Sequence, residues 1–156
     1  MFKPERILVP TDFSEKGKQT SKLAVKQAIA IADEHDAELI FLHVITTEVE
    51  KKPLFFLDDD KFGELRKDLR ANAKKALDAF AKKYIGERKI RYRVKVREGV
   101  AYNEILKEER ESEVDLVTIA TRGHSALHDF FYGSTTEKVV RRSACNVMVV
   151  RQLIGR

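Results

Sequence analysis

The sequence is poor in residues that several common kinds of site require. It has one cysteine, Cys145, and no tryptophan among 156 residues. A single cysteine excludes an internal disulfide and a zinc site built from paired cysteines, and it is typical of a reducing compartment. No apolar run approaches the roughly 20 residues of a membrane-spanning helix, and the N-terminal stretch MFKPERILVP lacks the apolar core of an export signal. We therefore expect a cytoplasmic protein without a membrane partner.

Several catalytic motifs are also missing. The chain has no G-x4-G-K-[ST] loop, no G-x-G-x-x-G fingerprint and no G-x-S-x-G elbow, which removes the usual P-loop, dinucleotide and serine-hydrolase sites. Cys145 has no histidine near it in sequence, so we predict a small buried residue rather than a nucleophile.

The composition indicates a soluble globular protein. Hydrophobic residues make up 43% and charged residues 35% of the chain, and the length fits a single domain over residues 1–156. The formal net charge of +5 favours anionic partners without demanding nucleic acid.

Strand and helix patterns alternate along the whole chain. Short apolar runs predict strands at 6–10, 37–44, 89–97, 114–120 and 146–150. Apolar residues at helical spacing predict helices from Ser14 to about Glu34, at 60–85, at 101–111 and from Ser134 onward, with Gly86 ending the second. Such alternation predicts an α/β fold in which helices cover both faces of a parallel sheet.

Two of the predicted strands have the patterns of sheet edges. In KIRYRVKVR, at 89–97, apolar and basic residues alternate, so we expect the basic face to meet solvent at an edge. Regular cations can track phosphates, but no aromatic residues alternate with them on that face, and we do not expect nucleic acid to bind. The last strand is apolar on both faces. As the opposite edge it would pair antiparallel with its copy, which predicts a homodimer through Val147 to Val150.

A glycine-containing loop lies between the fourth strand and the last helix. Gly123 and Gly133 are separated by nine residues, and Ser134 with Glu137 has the capping-box spacing that begins a helix. Glycine lets a backbone approach an anion closely, and a helix N-terminus presents unsatisfied N–H groups. The loop therefore suits phosphate, although turns and a cap alone would require the same residues.

Parallel sheets bind ligands at the carboxyl ends of their strands, near a switch in strand order. Polar or small residues follow three predicted strands: Pro10, Thr11 and Asp12 after the first, His43 and Val44 at the second, and Ala120 to Gly123 after the fourth. Asp12 could reach a ribose hydroxyl or a metal ion, or could cap the first helix. Arg122, His124 and His128 could contact phosphates or be merely exposed, and His43 is predicted to be a packed core residue.

These segments together resemble the universal stress proteins of the UspA superfamily, in their ATP-binding branch. The resemblance runs from ILVPTDFSE at 7–15 through VDLVTIATRG to CNVMVVR at 145–151. The family signature is G-x2-G-x9-G-[S/T], and Gly123, Gly133 and Ser134 match it. Ala120 replaces the first glycine, a small intrusion at negative φ and a strained one at positive φ. Asn146 stands where relatives often have proline.

The resemblance implies a three-layer α/β/α, Rossmann-like fold, similar to adenine nucleotide alpha hydrolases. Its five-stranded parallel sheet would have the order 3-2-1-4-5 and would bind ATP, with AMP or ADP as alternatives and Mg²⁺ or Mn²⁺ as the accompanying ion. The implied nucleotide-binding residues are Pro10, Thr11, Asp12, Val44, Ala120, Arg122, Gly123, His124, Gly133, Ser134, Thr135 and Thr136, with adenine near the first strand and phosphates near the last helix.

The implied function is that of a nucleotide-responsive stress protein that acts as a homodimer on an unidentified protein partner. Two alternatives remain. A nucleotide-free dimeric interaction module would result if the Ala120 methyl closed the loop to phosphate. A slow ATPase would need a base, for which Asp12 is the only acidic candidate near the site, so we expect weak hydrolysis at most. The apolar connection within residues 51–60 could cover the nucleotide, but we favour its packing against the following helix.

Overall fold

Five parallel strands form the centre of the molecule. The computed structural model describes residues 1–11, 18–46, 59–121 and 134–151. In chain order the elements are β1 (Arg6–Pro10), α1 (Lys18–His35), β2 (Glu38–Thr46), α2 (Asp59–Ile85), β3 (Tyr92–Gly99), α3 (Ala101–Glu111), β4 (Leu116–Ala120), α4 (Ser134–Arg142) and β5 (Asn146–Val150). All neighbouring strands are parallel in the order β3-β2-β1-β4-β5, which confirms the predicted fold class.

The helices form a layer on each face of the sheet. On one face, Val25 of α1 and Leu77 of α2 pack with Phe41 of β2 in one buried apolar cluster. On the other face, Ile105 of α3 and Val139 of α4 pack against Leu8 and Val117 in a second cluster. Because β1, β2 and β4 are covered on both faces, their residues read as continuous apolar runs rather than as an alternation.

Three helices end in a residue with left-handed backbone conformation. Gly86 follows α2 with φ of +62°, as the sequence predicted, while Asp36 after α1 has φ of 56° and Glu113 after α3 has φ of 50°. A residue at positive φ ends a helix by turning the chain, and a side-chain-bearing residue there carries some strain. Apolar patterning indicates where these helices run, but not that Asp36 and Glu113 turn the chain.

Several predicted boundaries move. β2 begins at Glu38 and extends to Thr46, β3 begins at Tyr92 rather than at 89, and β4 begins at Leu116 rather than at 114. The Ser14 cap predicted for the first helix and the connection at 51–58 lie outside the described residues. The shifts fall at element ends, where tertiary pairing decides how many residues join the ladder.

The basic face of β3 corrects one expectation. β3 is an edge strand, as predicted, but its cations are not simply solvated, because α3 presents carboxylates to them. The Arg97 side chain is only 17% exposed, and its Nε lies 3.1 Å from Glu108 Oε2. Its NH2 group lies 2.5 Å from Glu111 Oε2. Lys95 Nζ lies 3.8 Å from the buried Glu108 carboxylate. The alternation therefore reflects a strand covered by an acidic helix, and these cations are already paired within the chain.

None of the helices in the described ranges combines the length and the apolar character needed to cross a membrane.

Candidate functional site

The described part of the predicted site lies at the carboxyl ends of the central strands. β1 has β2 on one side and β4 on the other, so the strand order reverses direction next to β1. Pro10 ends β1, Ala120 ends β4, and Ser134 begins α4. The carboxyl ends of these parallel strands share one edge, and helices that follow or precede them border the same crevice. The fold thus brings together sequence segments that are far apart in the chain.

On one side of the crevice, β2 extends beyond the carboxyl end of β1. Pro10 is paired with Leu42 at the end of β1, yet β2 continues along β3 until Thr46 pairs with Gly99. Val44, half-buried, lies on this extension of β2. An apolar side chain in this position is suited to the face of a planar base. Nothing in the sequence alone indicated that β2 and β3 extend beyond β1.

The exit of the chain from β1 is held by hydrogen bonds. Thr11 is buried, and its N–H donates to the Leu42 carbonyl at 2.8 Å. The Thr11 carbonyl lies 3.1 Å from His43 Nδ1. Since a carbonyl oxygen only accepts, the ring must carry a proton on Nδ1 there. His43 is half-buried rather than packed in the core, and its hydrogen bond holds the backbone next to the crevice.

The replacement of the first signature glycine by Ala120 causes no backbone strain. Among the residues that the structure describes, the only non-glycine residues with positive φ are Asp36 and Glu113. Ala120 is therefore an ordinary strand residue, paired with Val150 of β5. Its methyl is the small intrusion that negative φ predicts.

The first turn of α4 presents three hydroxyl side chains in different environments. Ser134 is exposed, Thr135 is half-buried and Thr136 is only 5% exposed. The Thr136 hydroxyl donates to the Ala120 carbonyl at 3.2 Å. The Glu137 carboxylate lies 3.1 Å from Arg141 NH2, and its capping box with Ser134 stays a prediction. The helix begins at Ser134, as the sequence predicted.

The remaining predicted site residues lie outside the described parts of the chain: Asp12, Arg122, Gly123, His124, His128 and Gly133. Their roles stay predictions. Within the described ranges, no group of three His, Cys, Asp or Glu side chains is placed to hold a metal ion.

One residue at this edge was missed by the sequence reasoning. Gly99 ends β3 with φ of +145°, and a Cβ there would lie 3.0 Å from Glu104 Oε1. The Glu104 carboxylate in turn lies 3.0 Å from Lys107 Nζ. A glycine at the end of an edge strand is the signal that could have indicated this turn.

A shallow cleft lies between the C-terminal parts of α1 and α2, near the amino ends of the strands. Its lining includes Ile29, Asp33, Tyr84 and Arg88. Arg88 Nε and Asp33 Oδ2 are 3.9 Å apart across it. The cleft mixes opposite charges and is remote from the ends of β1 and β4, so it is not part of the candidate site.

Cys145 also lies away from the crevice, just before β5. Ser143 Oγ lies 3.5 Å from its Sγ and donates to the Glu109 carboxylate at 2.8 Å. Burial raises the pKa of the Cys145 thiol, and the negative charge of Glu109 adds to that rise. Cys145 is half-buried rather than buried as predicted. Its thiol nevertheless stays protonated at neutral pH, which argues against a nucleophilic role.

We expect Cys145 to react slowly with iodoacetamide in the folded protein. Because its pKa is raised, the pH at which the rate is half-maximal should lie above the value of about 8.5 for an unperturbed thiol. The same chain in denaturant supplies the reference, and the single cysteine makes the reading unambiguous. Equal rates at neutral pH in the folded and unfolded chains would contradict the assignment.

Comparison with known proteins agrees with this architecture. The sequence model of the universal stress protein family matches residues 3–151. Universal stress protein MJ0531 of Methanocaldococcus jannaschii is 32% identical over 149 residues, which cover 95% of this chain and 82% of that protein. The structure of the hypothetical protein MJ0577 superposes with a TM-score of 0.76 at 29% identity, covering 97% of this chain and 98% of that one. UspA from Lactobacillus plantarum gives a TM-score of 0.73 at 27% identity, with 97% and 100% covered.

Two more distant structures share the fold and hold adenine nucleotides. A universal stress protein in complex with cAMP has a TM-score of 0.61 at 20% identity, and covers 96% of this chain with 98% of its own length matched. A family member from Arabidopsis thaliana with AMP bound has a TM-score of 0.64 at 17% identity, with 97% and 94% covered. At these identities the likeness concerns the fold. The match of the family model over nearly the whole chain, with the parallel sheet in its observed order, shows that this chain belongs to the universal stress protein family.

Proposed function

We propose that the chain binds ATP in the crevice at the carboxyl ends of β1 and β4 and acts as a nucleotide-responsive regulator. The observation that carries this proposal is the position of α4. Its N-terminus begins at the same edge of the sheet as the ends of β1 and β4, and its third residue is bonded to the last residue of β4. A helix N-terminus leaves about four N–H groups unpaired and has a partial charge of about +0.5. These are the features that an anionic phosphate chain needs.

Several described residues that border the crevice support this proposal. The exposed Ser134 hydroxyl can donate to a phosphate oxygen beside the N–H groups of the first turn. Ala120 has an unstrained strand backbone, so its methyl adds little volume and no backbone distortion to the site. Val44, on the part of β2 that extends past β1, and Pro10, at the end of β1, offer apolar surface to adenine. Asp12, outside the described residues, stays the sequence's candidate for the ribose or for a Mg²⁺ or Mn²⁺ ion that would neutralise the phosphates.

Relatives support an adenine nucleotide as the ligand. Members of this family have been seen with cAMP and with AMP. The preference for ATP over these smaller nucleotides rests on the glycine loop of the sequence and on the α4 N-terminus. A charge of this kind attracts a triphosphate more strongly than a monophosphate, because more negative charge lies within its range.

We also propose that two copies join through β5, because the two sheet edges differ. The Arg91 carbonyl accepts a hydrogen bond from the Leu39 N–H of β2. Successive residues of a strand direct their backbone groups to opposite sides, so those of Val96, five positions later, point outward from the β3 edge. The Arg70 guanidinium from α2 donates to this Val96 carbonyl at 3.2 Å. Arg66 of the same helix contacts the Glu98 carboxylate. A guarded, charge-rich edge disfavours strand pairing.

The β5 edge lacks such a guard in the described part of the chain. The Thr121 N–H donates to the Val150 carbonyl, so Val150 faces β4. Successive residues of a strand direct their backbone groups to opposite sides, and those of Val149 therefore point outward. Val147, Met148 and Val149 are half-buried in the single chain and have apolar partners on both faces. An antiparallel pairing with the same strand of a second copy would satisfy these groups.

Calorimetric titration of ligand-free protein with ATP and Mg²⁺ tests the proposal. We expect binding in the micromolar range, weaker for AMP, with ADP between them. Titration without the metal ion tests the part assigned to Mg²⁺ or Mn²⁺. The absence of heat at millimolar ATP would overturn the proposal. The second candidate, a nucleotide-free interaction module, is favoured only by the methyl of Ala120, and Ala120→Gly should then create binding where the natural chain has none.

A further inference from the structure

Among the described residues, a side-chain hydrogen bond joins the start of α4 to the end of β4, on either side of the proposed phosphate loop. Ala120 is the last residue of β4 and Thr136 is the third residue of α4, sixteen positions later in the chain. The Thr136 hydroxyl donates to the Ala120 carbonyl at 3.2 Å. A threonine in the first turn of a helix commonly bonds within its own helix or caps it. This one instead connects the helix to the strand.

The burial of Thr136 separates it from its neighbours. Only 5% of the residue is exposed, whereas Ser134 is exposed and Thr135 is half-buried. Its hydroxyl has one hydrogen to donate, and that hydrogen is used by the Ala120 carbonyl. A phosphate oxygen is an acceptor and would need the same hydrogen. The Thr136 hydroxyl therefore has neither the access nor the free hydrogen that a phosphate contact requires.

We infer that Thr136 is a positioning residue, whose side chain holds the N-terminus of α4 at the end of β4 and does not itself touch the nucleotide. The direction in which the first-turn N–H groups point depends on how the helix start is fixed relative to the strand end. With the hydrogen bond made, the helix start and the crevice keep one relative position before any ligand arrives. Such preorganisation improves affinity because less ordering remains to be done on binding. This inference rests on the proposed binding of ATP.

Thr136→Val tests the inference, because it removes the hydroxyl and keeps the shape of the side chain. We expect the ATP dissociation constant to rise about tenfold, the upper range for one buried hydrogen bond. Thr136→Ser keeps the hydroxyl and should restore most of the affinity. Thr118→Val is the matched control: Thr118 lies on β4, is fully buried, and its hydroxyl has no partner among the described residues. This control should leave ATP affinity unchanged.

A second measurement separates this inference from the proposed function. In nucleotide-free protein, amide hydrogen exchange at Lys138 and Val139 reports the first turn of α4, because their helical bonds go back to Ser134 and Thr135. We expect exchange about tenfold faster in Thr136→Val than in Thr118→Val, whether or not ATP binds. If the natural protein fails to bind ATP while this difference persists, the proposed function fails, but the hydrogen bond from Thr136 still holds the start of α4.

Two results would overturn the inference. Equal exchange in the two variants would show that the hydroxyl does not hold the helix start. An unchanged ATP dissociation constant in Thr136→Val, together with a lowered melting temperature, would show a bond that stabilises the fold without positioning the site.

Discussion

Replacing Gly133 by valine should raise the ATP dissociation constant about 100-fold while the fold stays intact. Gly133 is the residue before α4, where a phosphate group would lie against the backbone. A branched side chain there keeps the anion away from the first-turn N–H groups. Loss of one or two charge-assisted hydrogen bonds, each contributing about 1.5–3 kcal/mol, accounts for a change of this size. Calorimetric titration measures it, and circular dichroism checks the fold.

Gly63 offers a matched control for that experiment. It lies in α2, and a Cβ built on it meets no atom within 4 Å. Gly63→Ala should leave ATP affinity unchanged and stabilise the protein by roughly 0.5–1 kcal/mol, because alanine has less chain entropy to lose in a helix. Gly133→Ala should give a loss between those of the other two variants. Natural affinity in Gly133→Val would refute the assignment of the loop to phosphate binding.

Replacing Val149 by proline should separate the proposed dimer into monomers. The N–H of Val149 points away from β4, so its removal spares the pairing within the chain. In a two-fold pair each copy loses one backbone hydrogen bond. Two such losses, about 2 kcal/mol together, correspond to about 30-fold in the dimer dissociation constant, and the proline ring adds a steric cost. Sedimentation velocity over a range of concentrations measures the effect.

Val149→Ala is the control for side-chain size, because it shortens the side chain and keeps the N–H. We expect it to shift the dimer equilibrium less than proline does. A proline variant that still sediments as a dimer would place the interface elsewhere.

Much of the fold could be predicted from local patterns. Apolar spacing placed α3 at Ala101–Glu111 and β1 at Arg6–Pro10, and the structure confirms both ranges. Gly86 ends α2 because a residue without Cβ adopts positive φ at no cost. The edge character of β3 and β5 is also confirmed. Helical and strand periodicities are local properties, and so a sequence determines them without knowledge of the rest of the chain.

The candidate site was predictable in its parts rather than in its arrangement. The glycine loop and the ends of the strands pointed to Pro10, Ala120 and Ser134, which lie at one edge of the sheet. The sequence could not indicate that β2 extends past β1, because the length of a ladder depends on the neighbouring strand. It could not indicate the role of His43 either, since that role comes from a hydrogen bond to Thr11, which follows a different strand.

The resemblance to universal stress proteins indicated the family, and the glycine loop predicted where phosphate would bind. Local patterns by themselves determined the kinds and order of the elements and the α/β class. These follow from spacing, caps and glycines, which act over a few residues. Only the tertiary structure decided which charges are free and which hydroxyls are engaged. It set Arg97 against Glu108 beneath α3, and it bonded Thr136 to Ala120 across the base of the loop. Each of these pairs joins two different elements, and packing brings such residues within reach only when the whole chain has folded.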